Sequence, residues 1–226
     1  MVDADTVRAD FDRLARLDSG EWNHNNHYHS YLLNHVPTSC TASLEIGCGA
    51  GAFARLLAQR SAHVTALDLS PQMIDLAQAR STTCTNITWL LGDAMTFPFT
   101  PRSYDCIASI ATLHHLPLAT ILPKLKQALK PGGVLLILDL YQGEGLADLL
   151  RTLLALPAGT LIKLARTGRL REPTPVRQAW DAHGQHDHYL PVSAIRQLCD
   201  DLLPGAIIRK HLLWRYSLIW TKTDTQ

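Results

Sequence analysis

The chain has 226 residues, 46% of them hydrophobic, and a formal net charge of +1. That length and apolar share fit one large α/β domain with an ordinary core and a small appendage. The near-neutral balance, without a basic run, argues against nucleic acid as a partner. Five scattered cysteines (Cys40, Cys48, Cys84, Cys106, Cys199), with no CxxC pair, suit the reduced thiols of a cytoplasmic protein. The opening Met1-Val2-Asp3-Ala4-Asp5 is acidic and leads into no apolar segment, so no signal peptide is expected. No apolar run reads as long and charge-free enough to span a bilayer.

Along the chain, Val7, Phe11, Leu14 and Leu17 mark one face of an amphipathic helix over residues 5–18. The tract from Ser19 to Leu33 holds His24, His27 and His29 among asparagines and aromatics, too polar for core and too aromatic for a linker. His24, Tyr28 and Tyr31/Leu32 can share a helical face, so the tract reads either as a half-helical lid or as a helix packed on the domain. Its histidines lack a cysteine or acidic residue to complete a tight ligand set, and no metal site is expected. Val36-Pro37 closes this segment, leaving 1–38 as a lid and 39–226 as the main domain.

From residue 42 strands and helices alternate. Ala42–Ile46 is the first strand, and a helix follows its glycine turn to about Arg60. His63–Leu67 is the second strand, closing on Asp68. Ser70-Pro71 starts a helix, with serine as cap and proline in the first turn. Ile87–Leu91, Tyr104–Ile110 and Val134–Leu138 are the next strands, with a helix from Leu118 to Leu129 ended by Lys130-Pro131-Gly132-Gly133. Repeats of this kind predict a doubly wound, Rossmann-like parallel sheet. Residues 142–188, leucine-rich and then basic and proline-bearing, form a helical insertion, either a substrate cap or a pair of packing helices. A last helix (Ile195 to Leu202) and a hairpin, Ile207–Leu213 with Tyr216–Thr221, end the fold.

Leu44-Glu45-Ile46-Gly47-Cys48-Gly49-Ala50-Gly51-Ala52-Phe53 reads as a buried strand end, a glycine turn and a helix start. Its glycines remove side chains where the chain must turn and where a ligand approaches backbone N–H groups. Gly47, Gly49 and Ala52 also satisfy the dinucleotide fingerprint. Glu45, two residues before the first glycine, suits the amino group of a cationic ligand and would repel a pyrophosphate. Ligands of open parallel sheets lie at the carboxyl ends of the strands, and there the acidic residues fall. Asp68 can accept both hydroxyls of a ribose, Asp93 the exocyclic amine of adenine, with the Ala94 N–H near a ring nitrogen; Asp139 closes the fifth strand.

The runs Leu44 to Gly51, Ala66-Leu67-Asp68-Leu69-Ser70-Pro71-Gln72-Met73, Gly92-Asp93-Ala94 and Leu129-Lys130-Pro131-Gly132-Gly133 resemble four successive motifs of class I S-adenosylmethionine-dependent methyltransferases. The small-molecule branch that includes quinone-biosynthesis enzymes is the most similar, and Leu113-His114-His115-Leu116 resembles the stretch that branch places beside the methyl group. The resemblance covers about residues 40–140 and implies seven strands with the last inserted antiparallel. It implies that Gly47, Cys48, Gly49 and Gly51 line the methionine end near Glu45, and that Asp68 holds the ribose. Leu69 and Met73 would flank adenine, with Gly92, Asp93 and Ala94 at its edge. Ile110 and His115 would lie at the sulfonium, and Tyr28 and His29 are candidates for the carboxylate.

A general base is needed only for an acceptor that must lose a proton early. His114 or His115 is the first candidate and a lid histidine, His24 or His27, the second; one of the pair could instead be a buried residue opening the next helix. Ser109-Ile110-Ala111-Thr112 stands where nucleic-acid and protein amine methyltransferases often carry Asn-Pro-Pro-Tyr, so a small-molecule acceptor is expected, with O-methylation ahead of N-, S- or C-methylation. Trp22, Tyr28, Trp180, Tyr189 and the leucines of the insertion suggest an apolar or aromatic one. A membrane is not the expected partner, although apolar and basic faces of the insertion adjoin. A nicotinamide-dependent dehydrogenase and a non-catalytic S-adenosylmethionine-binding module are the alternatives.

Overall fold

The computed structural model describes residues 3–20 and 22–223; Met1, Val2 and Glu21, from the acidic opening and the aromatic tract, lie outside them, as do 224–226. Seven strands form one sheet: β1 (Cys40–Ile46), β2 (Ser61–Asp68), β3 (Ile87–Leu91), β4 (Tyr104–Ile110), β5 (Leu129–Leu140), β6 (Ile207–Lys210) and β7 (Arg215–Thr221). Their spatial order is β3-β2-β1-β4-β5-β7-β6. Strand β7 is antiparallel to both its neighbours, and the other pairs are parallel. The sequence order reverses at β1, between β2 and β4, which opens the crevice where such sheets bind ligands.

The strands are apolar on both faces because helices cover both. On one face Ile46, Ile107, Leu135 and Ile137 pack with α5 (Leu118–Ala128) and α8 (Val192–Leu202). On the other, Ala66, Cys106, Ala108, Leu136 and Leu138 pack with Phe53, Ala54 and Leu57 of α3 (Ala52–Leu57) and Ile74 of α4 (Pro71–Ala79). The Ser70 hydroxyl accepts the Met73 N–H at 3.1 Å, the cap that the Ser-Pro pair foretold.

Lys130-Pro131-Gly132-Gly133 does not terminate a helix. Helix α5 stops at Ala128, and the four residues lie within the 12-residue β5. The register there jumps from Tyr104↔Leu129 to Cys106↔Val134, so they bulge out of the ladder. Gly132 takes φ +76 and donates to Lys222 O, and Lys130 Nζ binds Asp105 at 2.8 Å.

The N-terminal helix α1 (Ala4–Leu17) packs across α4 and α7 (Thr174–Gly184), with Leu14, Ala15, Met73 and Ala179 in a satellite core. The histidine-rich tract forms a 3₁₀ turn (Asn26–Tyr28) and α2 (His29–Leu33), whose Leu32 is fully buried.

The insertion differs most from its reading. It opens with α6 (Gly145–Thr167), 23 residues with a mean hydropathy of 1.4 over its most apolar window, of which 17% is buried. This helix is long and apolar enough to cross a membrane, so the expectation that no run is so falls. The charged Asp148 and Arg151 do not interrupt the apolar face: Asp148 is buried beside Lys210 and Arg151, on the side away from the leucines.

Candidate active site

A cavity of about 490 Å³ opens at the carboxyl ends of β1, β2 and β4 and runs from the glycine turn to α7. That is the size of an ordinary small-ligand site. Its floor is the turn after β1. Gly47 and Gly49 take φ +69 and +50, and Gly47 N and Cys48 N both donate to Leu67 O. Only glycine fits at 47: a Cβ there would stand 2.0 Å from Thr112 Oγ1. Gly51 (φ +74) does not line the cavity, contrary to its assignment with the cofactor residues. It starts α3 in the left-handed region and makes room for Trp89 of β3, which a Cβ would meet at 2.5 Å.

Acidic residues ring this floor. Glu45 is 2% exposed, and its Oε2 has no hydrogen-bond partner. Burial, then the nearby Asp68, pushes its pKa well above the usual carboxylate range. A buried carboxylate with an unmet acceptor on a cavity wall is costly unless a donor completes it; an ammonium group is such a donor. Asp68 accepts the Gly49 N–H at 2.7 Å and the Ser70 N–H at 2.9 Å, so it braces the turn as well as facing the cavity. Burial raises its pKa against the pull of those two N–H groups. Asp93 accepts the Met95 N–H, and Leu69, Met73, Gly92 and Ala94 line the wall between them.

Of the lid residues, His29 reaches the cavity, and burial with the Arg55 charge lowers its pKa to about 4. Tyr28 does not. Its hydroxyl donates to Leu212 O in the turn before β7, which removes it from the carboxylate end. His24 and His27 also lie off the cavity: His24 sits between Trp22 and Trp214, and His27 packs edge-on to Tyr28. The irregular turn over residues 23–28, which ends in the 3₁₀ segment, turns these three away and brings Asn23, Asn25 and Asn26 to the cavity instead. A period drawn for a continuous α-helix could not foresee that.

At the far end the chain leaves β4 through Ala111, a non-glycine at φ +49, into a 3₁₀ turn (Leu113–His115) that carries both histidines. Strain of this kind needs surrounding structure to hold it, and here the Ala111 N–H is fixed on Leu138 O at 2.7 Å. Asp139, 1% exposed at the end of β5, accepts from the His114 backbone N–H at 2.9 Å and from its Nδ1 at 2.6 Å. Burial pulls the His114 pKa down, but Asp139 and then Asp187 outweigh it and hold the imidazole above its ordinary value. His115 is lowered to about 4 by burial and next by His114. Ile110, His114 and His115 all line the cavity.

Sequence reasoning set the insertion with His183 and Tyr189 beside the ligand mouth, but it singled out neither Asp187 nor Arg215. The cavity wall includes His183, Asp187 and Tyr189 from α7 and the segment after it, and Arg215 from the start of β7. Arg215 is buried and donates through Nε to Asn25 Oδ1 at 2.7 Å. The cap is therefore α7 with its C-terminal extension, and no residue of α6 lines the cavity. A signal was present: His183 and Asp187 stand four apart, and Asp139 ends its strand as Asp68 and Asp93 do.

An open sheet with one inserted antiparallel strand, a glycine turn and a carboxylate at each of the first three strand ends define the Rossmann-like class that binds an adenosine-bearing sulfonium cofactor. A family model described as a methyltransferase domain matches residues 44–137. An uncharacterized methyltransferase of Mycobacterium bovis is 30% identical over 203 residues, covering 88% of this chain and 96% of that one. A ubiquinone biosynthesis O-methyltransferase of Xylella fastidiosa is 30% identical over 149 residues, 58% of each chain. The fold is that of an N-methyltransferase from Bradyrhizobium japonicum solved with S-adenosylhomocysteine, with TM-score 0.64, 18% identity, and 96% of this chain and 98% of that one covered. The chain belongs to the class I S-adenosylmethionine-dependent methyltransferases. Its cofactor is S-adenosylmethionine, and the dehydrogenase and non-catalytic alternatives fall.

Proposed function

We propose that the protein methylates an oxygen of a small apolar or aromatic acceptor, in the cytoplasm. The observation that carries the oxygen is the cluster formed by His114, His115 and Asp187 on the cavity wall, with Asp139 behind His114. The sulfonium of the cofactor is already activated, so rate comes mainly from alignment in a dry site, worth on the order of 7–11 kcal/mol. An amine or thiolate acceptor would ask for little more. A hydroxyl must shed its proton, and buried imidazoles beside the methyl group serve that need.

The fit of the cofactor rests on this chain's own groups. The unmet oxygen of Glu45 takes the methionine ammonium, Asp68 the ribose, Leu69 and Met73 the faces of adenine, and Asp93 with Ala94 its edge. Arg215, or His29 across the cavity, is placed to meet the methionine carboxylate. A second cavity of about 240 Å³ shares His114 and His115 with the first, and Leu116, Leu118, Leu190 and Ile195 make its wall apolar. That supports an apolar acceptor. Relatives named as O-methyltransferases act on malonyl-[acyl-carrier protein] and in ubiquinone biosynthesis, and five unpaired cysteines fit a reducing compartment.

The test is transfer of a labelled methyl group from S-adenosylmethionine to a panel of phenols, carboxylic acids, amines and thiols. Turnover is expected with an oxygen acceptor. It should fall about 10²–10⁴-fold in a His114→Ala/His115→Ala variant that still binds S-adenosylhomocysteine. Turnover with amines alone, or full activity in that variant, would overturn the reading.

A further inference from the structure

We propose that His114, His115 and Asp187 form a binding site for one divalent cation of the zinc type, with its open position toward the cofactor cavity. One ligand atom from each lies within 4.8 Å of the other two, and all three side chains are about 5% exposed. His115 Nδ1 stands 3.5 Å from Asp187 Oδ1, and His114 Nε2 3.9 Å from Asp187 Oδ2. These separations are too long for hydrogen bonds. They lie near the roughly 3.4 Å edge of a tetrahedron whose metal–ligand bonds are about 2.1 Å. Asp187 Oδ1, the oxygen that faces His115 Nδ1, is buried and has no hydrogen-bond partner. An unmet polar atom at such a depth calls for a ligand.

The surroundings match those of a metal-bound imidazole. His114 gives its Nδ1 to Asp139, which fixes the ring and leaves the Nε2 lone pair toward Asp187. Tyr189 Oη donates to Asp187 Oδ2 at 2.6 Å, steadying the carboxylate. His183 repeats the pattern one step out, with Nδ1 on Asp10 Oδ2 at 3.2 Å and Nε2 3.6 Å from Asp187 Oδ1. Two imidazoles and a carboxylate suit zinc, iron, cobalt or nickel better than magnesium or calcium. Three protein ligands leave a fourth position for an outside oxygen. On the methyl-transfer reading, that oxygen is the acceptor's: coordination makes its O–H more acidic and the proton leaves to water, so the histidines serve the deprotonation by holding the cation.

The probe is Co²⁺ added to chelator-treated full-length protein, followed by its visible ligand-field spectrum and by stoichiometry. One equivalent is expected to bind and to be displaced by Zn²⁺. Affinity should fall about 100-fold or more in Asp187→Asn and in His115→Ala. S-adenosylhomocysteine titrations on the same samples show that each variant is folded. No stoichiometric Co²⁺ spectrum, or one unchanged in both variants, overturns the site. Metal binding without S-adenosylhomocysteine binding would sustain the site while refuting its role in methyl transfer.

A separate observation concerns α6. Leu146, Leu149, Leu150, Leu153, Leu154 and Leu161 are each more than half exposed and fall within one broad stripe of the helix. Soluble surfaces rarely carry so large an apolar face. The stripe ends at Arg166 and Arg171, both exposed. We infer that α6 lies flat on an anionic lipid surface, leucines inward and arginines at the headgroups.

Flotation with phosphatidylcholine vesicles, with and without phosphatidylglycerol, tests it. Binding should rise with the anionic share, fall with salt, and drop at least tenfold in Leu153→Glu/Leu161→Glu, a variant that should keep S-adenosylhomocysteine affinity. No binding to either vesicle overturns the inference. So does a concentration-dependent dimer abolished by the same substitutions, which would mean that a second copy covers the stripe. Attachment that survives high salt and alkaline carbonate would instead make α6 a spanning helix.

Discussion

Asp68→Ala is expected to weaken cofactor binding severely. Two hydrogen bonds from ribose hydroxyls to a carboxylate are worth about 1.5–3 kcal/mol each, so their loss weakens binding by roughly 10²–10⁴-fold. Wild type held at 100 times the dissociation constant of S-adenosylhomocysteine gains about 2.7 kcal/mol, a rise in melting temperature of roughly 5–11 °C for a chain of this size. In Asp68→Ala that rise should vanish. Removing the carboxylate also strips the Gly49 and Ser70 N–H groups of their acceptor, so the unliganded variant should melt lower as well. Asp68→Asn keeps a carbonyl acceptor and separates the two roles, with stability largely retained and affinity still reduced. A full ligand-induced shift in Asp68→Ala would refute the ribose assignment, and stabilisation of wild type by NADH in its place would undo the cofactor fit built on Glu45 and Asp68.

Gly47→Ala should be the most destabilising single-atom change in the site. A left-handed backbone costs an L-residue about 1–2 kcal/mol, and φ is +69 at this position. The added Cβ would also lie 2.0 Å from Thr112 Oγ1 and 2.4 Å from its Cγ2, with the turn behind it and β4 beneath. Overpacking of that kind costs about 1–3 kcal/mol more. The sum, about 2–5 kcal/mol, corresponds to a melting point lower by roughly 4–20 °C. Gly49→Ala is the control. Its φ is +50 but a Cβ meets nothing within 4 Å, so only the backbone share of about 1–2 kcal/mol applies, while the new methyl group narrows the ligand floor. Thermal unfolding of the two variants side by side should rank them in that order. Equal losses would mean that Thr112 moves aside without cost.

Residues 42–140 were legible because their signals are local. A glycine that must take positive φ, a serine that must cap a helix and an apolar run that must be covered on both faces each act within one turn or one strand. The sequence therefore determined the alternating fold, the ligand's end of the sheet and the carboxylates Glu45, Asp68 and Asp93. It misread Lys130 to Gly133, where a turn signal and a strand bulge look alike until the pairing with β4 is known. Beyond such local signals the chemistry depends on which segments meet. Asp139 and His114 are 25 residues apart, Asp10 and His183 173 apart, Asn25 and Arg215 190 apart. No periodicity records such pairings, because they are set by how α1, α7 and β7 close over the crevice. The same holds for the histidines and the leucines. The turns over residues 23–28 took His24 and His27 from the cavity while His183 joined it, and the packing of α6 left its leucines at the surface, where composition alone could not distinguish core from interface.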